Sequence, residues 1–379
     1  MRKQLRAGSA FPKRALKTAA ITAGAAACLF LAGVLLLRGC GAGEGGRRPA
    51  GTKVGMILLS GREDLGFSQS LGEAAEAVCA EAGVPLELYD QVPVGEAFRD
   101  LAEELIEGGC GLLLCDNVAY DADLAYLSAA HPDTFFFSAS GTLTADNLSS
   151  CMRRTYQARY LTGLAAGSVS QSGEVGYVLA GLTPETIRQL NAFTIGVRKA
   201  NPDAIVYVRQ VNNWNDGEAA ASETTALLDA HSIDVLAHHT SSIAPLRVAD
   251  ERGVAVVGCG YDNSALFPDT WLTGVVFHWE PLLADLIDAW RQGRFVGQRY
   301  QGGVTNGLVS ITPLPGWCGP GPRNLAASEA ERLAAGKYDV FFGPVRDVYG
   351  IVQVRRDENL SDEKILHGMY WFVDGVVLE

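Results

Sequence analysis

Twice along its length the chain runs through the same alternation, a short apolar run followed by a stretch of helical periodicity. Such alternation dictates a parallel sheet covered on both faces, because each strand must return over the sheet through a helix. In the first pass, residues 54–59, 85–89, 111–115 and 134–138 read as buried strands. Helices are expected between them over 70–82, 97–107 and 122–130. Leu71, Ala74, Ala75, Val78 and Cys79 fall on one face of the first helix, which is the spacing of a core-facing stripe.

The pattern then restarts. A helix is expected over 157–168, a strand over 175–179, and a helix from Pro184 to about Ala200, with proline in its favoured first turn. Strands over 205–211, 235–237 and 254–257 follow, separated by helices over 217–230 and 243–251. After residues 271–276 the chain forms one more helix, 281–292, and a tail of short strands with one helix. The expected fold is α/β with two Rossmann-like lobes. The expected division is a leader (1–39), a flexible linker (40–52), an N-terminal lobe (53–152), a C-terminal lobe (153–270), and crossover segments with a tail (271–379).

The N-terminus carries an export pattern. Arg2, Lys3, Arg6, Lys13, Arg14 and Lys17 precede an uncharged run from Thr18 to Leu37, and no acid occurs before Glu44. Cys40 after Leu37-Arg38-Gly39 resembles a lipobox, in which the cysteine is lipidated, although Arg38 departs from the usual small or apolar residue. The alternative is an uncleaved signal anchor, since about 20 apolar residues span a bilayer. Either tethers the remainder to the outer face of the cytoplasmic membrane.

Seven of the 31 basic residues precede Cys40 and none of the 43 acidic ones does, so the remainder carries 24 basic and 43 acidic residues, a balance of −19. That acidity excludes a nucleic-acid partner, whose phosphates need Lys and Arg. Cys79, Cys110, Cys115, Cys151, Cys259 and Cys318 form no CxxC pair, and zinc spacing is absent. His238-His239 is no metal site by spacing, because adjacent side chains on a strand point to opposite faces.

In open parallel sheets, ligands sit beyond the carboxyl ends of the strands. The loops there carry Phe67, Gln69, Asp116, Asn117, Glu185, Arg188, Trp214, Asp216, Asp262 and Asn263. Aromatics, carboxylates and amides suit a flat, polar, neutral ligand. A phosphate calls for glycine nests or clustered cations, and these loops offer few. Each residue has a structural alternative. Phe67 is a helix staple or a ligand platform, Asp262 a turn residue or an acceptor, and Trp279 packing or contact.

Several separated segments carry a resemblance. They are Gln157 to Gly167, Pro184 to Phe193, Asn201-Pro202-Asp203-Ala204, His239-Thr240-Ser241-Ser242, Gly260-Tyr261-Asp262, Phe342 to Asp347, and Trp371 to Val376. In order, they resemble the basic membrane protein family of extracytoplasmic solute-binding lipoproteins, which serve ABC importers and include purine-nucleoside receptors. The resemblance implies a type I periplasmic binding protein fold with a multi-crossing hinge. It implies a monomer that holds a purine or nucleoside without a cofactor and meets an ABC permease and ATPase. By position, Phe67 and Trp214 resemble base-stacking groups, and Asp262 an acceptor for ribose hydroxyls or a ring N–H. Glu185, Arg188 and Asn191 match the family's helix opening toward the cleft. Gln69, Trp214-Asn215-Asp216-Gly217 and Asp116 to Tyr120 depart from the family pattern. The rival readings are a ligand-sensing receptor subunit and a nucleoside hydrolase. Against the second, the chain has no Gly-x-Ser-x-Gly elbow, phosphate loop or HExxH.

Overall fold

The computed structural model describes residues 51–379, and the leader with Cys40 lies outside them. Strands β1 (Lys53–Ile57), β2 (Leu86–Tyr89), β3 (Cys110–Cys115) and β4 (Phe135–Ser138) alternate with helices α1 (Phe67–Ala82), α2 (Glu96–Glu107) and α3 (Asp121–Ala130). β5 (Leu148–Arg153) follows β4 without an intervening helix. The alternation resumes with α4 (Thr155–Val169), β6 (Glu174–Leu179), α5 (Pro184–Ala200), β7 (Ile205–Gln210) and α6 (Gly217–Ala230). It continues with β8 (Val235–His239), α7 (Ala244–Glu251), β9 (Ala255–Cys259) and β10 (Trp271–Phe277). Then come α8 (Glu280–Arg291), β11 (Arg299–Gly302), β12 (Val309–Ile311) and α9 (Pro320–Ala334). The tail contains the hairpin β13 (Val345–Arg346) and β14 (Val352–Val354), then α10 (Asp362–His367) and β15 (Val376–Leu378).

Two sheets result. The first has the order β11-β5-β4-β3-β1-β2 and is parallel throughout. The second has the order β12-β10-β9-β8-β6-β7-β15, parallel except at β12. Each has its own apolar core. Val54, Met56, Leu112, Leu114 and Phe137 pack with α1 in one, and Val175, Tyr177, Val206, Val235 and Val257 with α5 in the other. The chain passes between the sheets three times: from β5 into α4, from β10 into α8, and from β11 to β12. Helix α8 returns to the first core, where Trp279, Leu283, Leu286, Ile287 and Trp290 are fully buried. A buried aliphatic side chain of this kind contributes roughly 1.5–3 kcal/mol, so the second crossing is firmly anchored.

Helix α4 begins directly after the first crossing and is buried from Thr155 to Gly167. Its small residues explain how. A Cβ on Gly163 would lie 2.1 Å from the carbonyl oxygen of Phe193 in α5, and one on Gly196 of α5 would lie 2.2 Å from that of Tyr160. The two backbones therefore approach closer than any side chain permits. One consequence matters for the site: Arg159 sits in the middle of this helix with no solvent exposure at all.

Candidate binding cleft

Helix starts aim the cleft residues. Asp64 caps α1: its carboxylate accepts from the backbone N–H groups of Gly66 (2.9 Å), Gln69 (3.0 Å) and Ser68 (3.3 Å). This fixes Phe67 at the first position of α1, facing the second lobe. Helix α5 opens with a capping box. Thr186 N–H donates to Thr183 Oγ1 at 3.3 Å, Thr183 N–H donates to Thr186 Oγ1 at 2.9 Å, and Pro184 occupies the first turn. Glu185 and Arg188 therefore project from a rigid helix end.

Trp214, His239, Glu185 and Gln189 form a chain of contacts within the second lobe, and Phe67 and Arg153 reach Phe277 across the lobes. Trp214, 42 % exposed, meets His239 edge-on with ring centroids 5.4 Å apart. His239 Nε2 lies 3.8 Å from Glu185 Oε2, and Gln189 Nε2 donates to Glu185 Oε1 at 3.1 Å. Arg153, at the end of β5, lays its guanidinium over Phe67, 4.2 Å from the ring centroid, and 5.4 Å from that of Phe277. Phe67 meets Phe277 and Trp279 edge-on at 5.4 and 5.6 Å; Trp279 is fully buried in the first core, and Phe67 and Phe277, one from each lobe, are the partly exposed rings of this cluster. Farther out, a cavity of about 410 Å³ opens between the lobes, lined by Ser60, Asp64, Gln91, Asn215, Ser241 and Ser242 among others.

The electrostatics at the hinge are unusual. Glu185 is half-buried, its side chain 40 % exposed; desolvation opposes its charge, but the neighbouring His239, Arg188 and Arg153 outweigh it and hold its pKa below the ordinary value. His239 is itself pushed down to about 4 and His238 to about 3 by burial, so both are neutral at pH 7 and the guanidiniums carry the effect there. Arg159 donates through Nη2 to the carbonyl of His238 at 2.6 Å, lies 5.7 Å from the Tyr177 ring centroid and is engaged by the Cys259 side chain, while its Nε and Nη1 find no oxygen or nitrogen acceptor. Arg188 donates through Nη1 to the carbonyl of Ile365 at 3.1 Å, and its Nε is likewise unpaired.

The lobes also touch through the loop that starts α1. Asn263 Nδ2 donates to the carbonyl of Leu65 at 3.0 Å, and Tyr261 Oη donates to the Glu73 carboxylate at 3.0 Å. Leu65, with φ 53, packs into the apolar cluster of Val178, Leu236, Phe267 and Trp271 in the second lobe. Gly260 permits this approach, since a Cβ there would lie 3.1 Å from the backbone nitrogen of Phe67.

Phe67, Glu185, Arg188 and Trp214 thus converge, and Asn263 bridges the lobes. The others serve different ends. Asp116 is buried beneath the cleft and accepts from Leu59 N–H (3.0 Å) and Ser68 Oγ–H (2.7 Å); burial raises its pKa to about 6. Asn117 caps a short 3₁₀ turn by accepting from Ala119 N–H. Gln69 is engaged within its own helix start, with Leu65 N–H and Glu73. Asp216 caps α6 through Ala219 N–H, and exposed Asp262 accepts from Ser264 N–H in a turn. Asn191 corrects the expectation of a residue turned to the cleft. It donates to the carbonyl of Trp371, accepts from Val373 N–H, and so pins the tail to α5. Arg153 and Phe277 lie beside Phe67, and Arg159 acts on His239 from within a buried helix; none of the three falls in the strand-end loops read from the sequence.

Two parallel-sheet lobes, three crossings and a polar, aromatic cleft between them define a type I solute-binding protein. The family described as ABC transporter substrate-binding protein, PnrA-like (Bmp), matches residues 51–331, and the chain belongs to it. It is a solute-binding protein of an ABC transporter and not an enzyme. It is 30 % identical over 327 residues to a purine-binding protein of Brucella abortus, covering 86 % of this chain and 92 % of that one. It is 27 % identical over 320 residues to a putative ABC transporter glucose-binding protein of Haloferax volcanii, covering 84 % and 79 %. Among solved structures, a transcriptional activator of the comK gene from Bacillus halodurans superposes with TM-score 0.67 at 19 % identity, over 76 % of this chain and 99 % of that one. A solute-binding protein from Conexibacter woesei gives 0.65 at 18 %, over 76 % and 97 %. These two likenesses speak for the fold.

Proposed function

We propose that the cleft captures a purine base or nucleoside and hands it, chemically unchanged, to a membrane permease. The observation that supports this reading is the pairing of Phe67 with Phe277 across the lobes, with Arg153 over both rings and within electrostatic range of Glu185 and Arg188. A flat heterocycle gains from such a pair of rings, and its ring N–H and carbonyl groups find an acceptor and donors at the edge. The purine-binding relative supports the same ligand class. Closure of the lobes supplies the differential affinity, because contacts such as Asn263 to Leu65 exist only when the lobes meet. The exported, tethered state proposed for the chain rests on the basic N-terminus, the uncharged run and Cys40.

A thermal-shift screen against nucleobases, nucleosides and sugars tests the ligand. A compound that binds only the folded state raises its Tm. Stabilisation by purines and not by glucose supports the proposal, whereas stabilisation by glucose alone would assign the cleft to a sugar, as named for the Haloferax relative. Mass spectrometry of lipid on Cys40 tests the anchor.

A further inference from the structure

Hydrogen-bond accounting at the hinge narrows the ligand, on the reading that the cleft takes a ring compound. Three guanidiniums, those of Arg153, Arg159 and Arg188, lie within electrostatic range of one carboxylate, Glu185. Arg159 and Arg188 are 0 % and 6 % exposed, and Nε and Nη1 of Arg159 and Nε of Arg188 find no oxygen or nitrogen acceptor, although the Cys259 side chain also engages Arg159. Among the described residues, Arg153 is held by the faces of Phe67 and Phe277 and by no ion pair or hydrogen bond. The neighbouring histidines are neutral at pH 7 and add no charge. Burying guanidinium N–H groups without acceptors costs several kcal/mol, and a fold keeps such an arrangement where a partner completes it. A neutral purine can offer these guanidiniums its oxo and ring-nitrogen acceptors, but it brings no charge to balance three cations beside one carboxylate.

We infer that the ligand presents an anionic, acceptor-only edge to Arg153, Arg159 and Arg188, with its ring against the Phe67–Phe277 pair. Two kinds of purine derivative carry that edge: a ring that has lost an N–H proton and spreads the charge over its oxo groups, and a nucleoside bearing a phosphate. The shared chemistry is an oxyanion held by forked N–H donors.

Calorimetric titration of the full-length protein in mild detergent tests this with matched pairs. Urate against hypoxanthine varies the charge of the ring. Inosine monophosphate against inosine varies the phosphate. The inference expects at least one anion to bind about tenfold or more tightly than its neutral counterpart. Whichever pair shows the preference identifies the source of the charge. In Arg153→Gln and, separately, Arg188→Gln, the anion-to-neutral ratio should fall toward one, with folding verified by circular dichroism. Neutral members binding as well as the anions overturns the inference and leaves the ring-binding proposal standing. A preference that survives both substitutions also overturns it. If no purine derivative of either charge binds, both fail.

Discussion

Asn263 Nδ2 of the second lobe donates to the Leu65 carbonyl of the first at 3.0 Å, so a β9–β10 loop residue holds the loop that starts α1. This bond spans the two lobes. Asn263→Ala should therefore favour the open arrangement. Its loss is worth about 0.5–1.5 kcal/mol, which is a several-fold loss of ligand affinity. Small-angle scattering should show a larger radius of gyration, with the melting temperature of each lobe little changed. Unaltered scattering and affinity would remove Asn263 from the closure contact.

Asp116 makes stability depend on pH. Burial raises its folded pKa to about 6 from an ordinary 3.8, so the folded state binds this proton more tightly than the unfolded chain. The contribution is complete below the ordinary value and is lost as pH rises through about 6. Asp116→Asn keeps the shape without the charge. Its advantage over wild type should grow across that window and level off above it, at about 3 kcal/mol at most. Parallel pH profiles for the two proteins would show that Asp116 does not titrate as described.

Trp214 borders the cleft through His239 and is half in solvent. Trp214→Ala should weaken ligand binding about tenfold or more, in keeping with the 1–3 kcal/mol of a base–aromatic contact, while the fold persists. Unchanged affinity by calorimetry takes Trp214 out of the site.

The α4–α5 contact tests the fold. Gly163→Ala places a methyl group 2.1 Å from a backbone oxygen of Phe193, which must move. Overpacking of this kind costs about 1–3 kcal/mol, and the urea midpoint should fall accordingly. Gly181→Ala, with nothing within 4 Å, is the control and should leave the midpoint in place. Equal midpoints would mean that the helices are less tightly apposed.

The fold was largely legible because buried parallel strands are continuous apolar runs: Cys110–Cys115 and Glu174–Leu179 announce themselves. β5 did not, because Ser149 and Ser150 break its apolar run although both are fully buried. Helix α9 did not either, since Pro320-Gly321-Pro322 reads as a loop. For the site, loops after strands supplied Phe67, Glu185, Arg188 and Trp214. They suggested few cations, and there the reading fell short. Arg153 comes from the end of a strand and Arg159 from within a buried helix, and only the tertiary structure brings them beside Arg188. A signal for Arg159 did exist: a charge amid the small and apolar residues of Tyr160 to Ala166 has no solvated face to occupy.

The central claim is reversible capture of a purine compound between the lobes. Equilibrium dialysis of the protein against a mixture of purine bases, nucleosides and nucleotides, with chromatography of the retained fraction, tests it most directly. The account predicts that one such compound is retained near one equivalent per chain and recovered intact on denaturation. Recovery of a cleaved product, or retention of no purine compound at all, would contradict it.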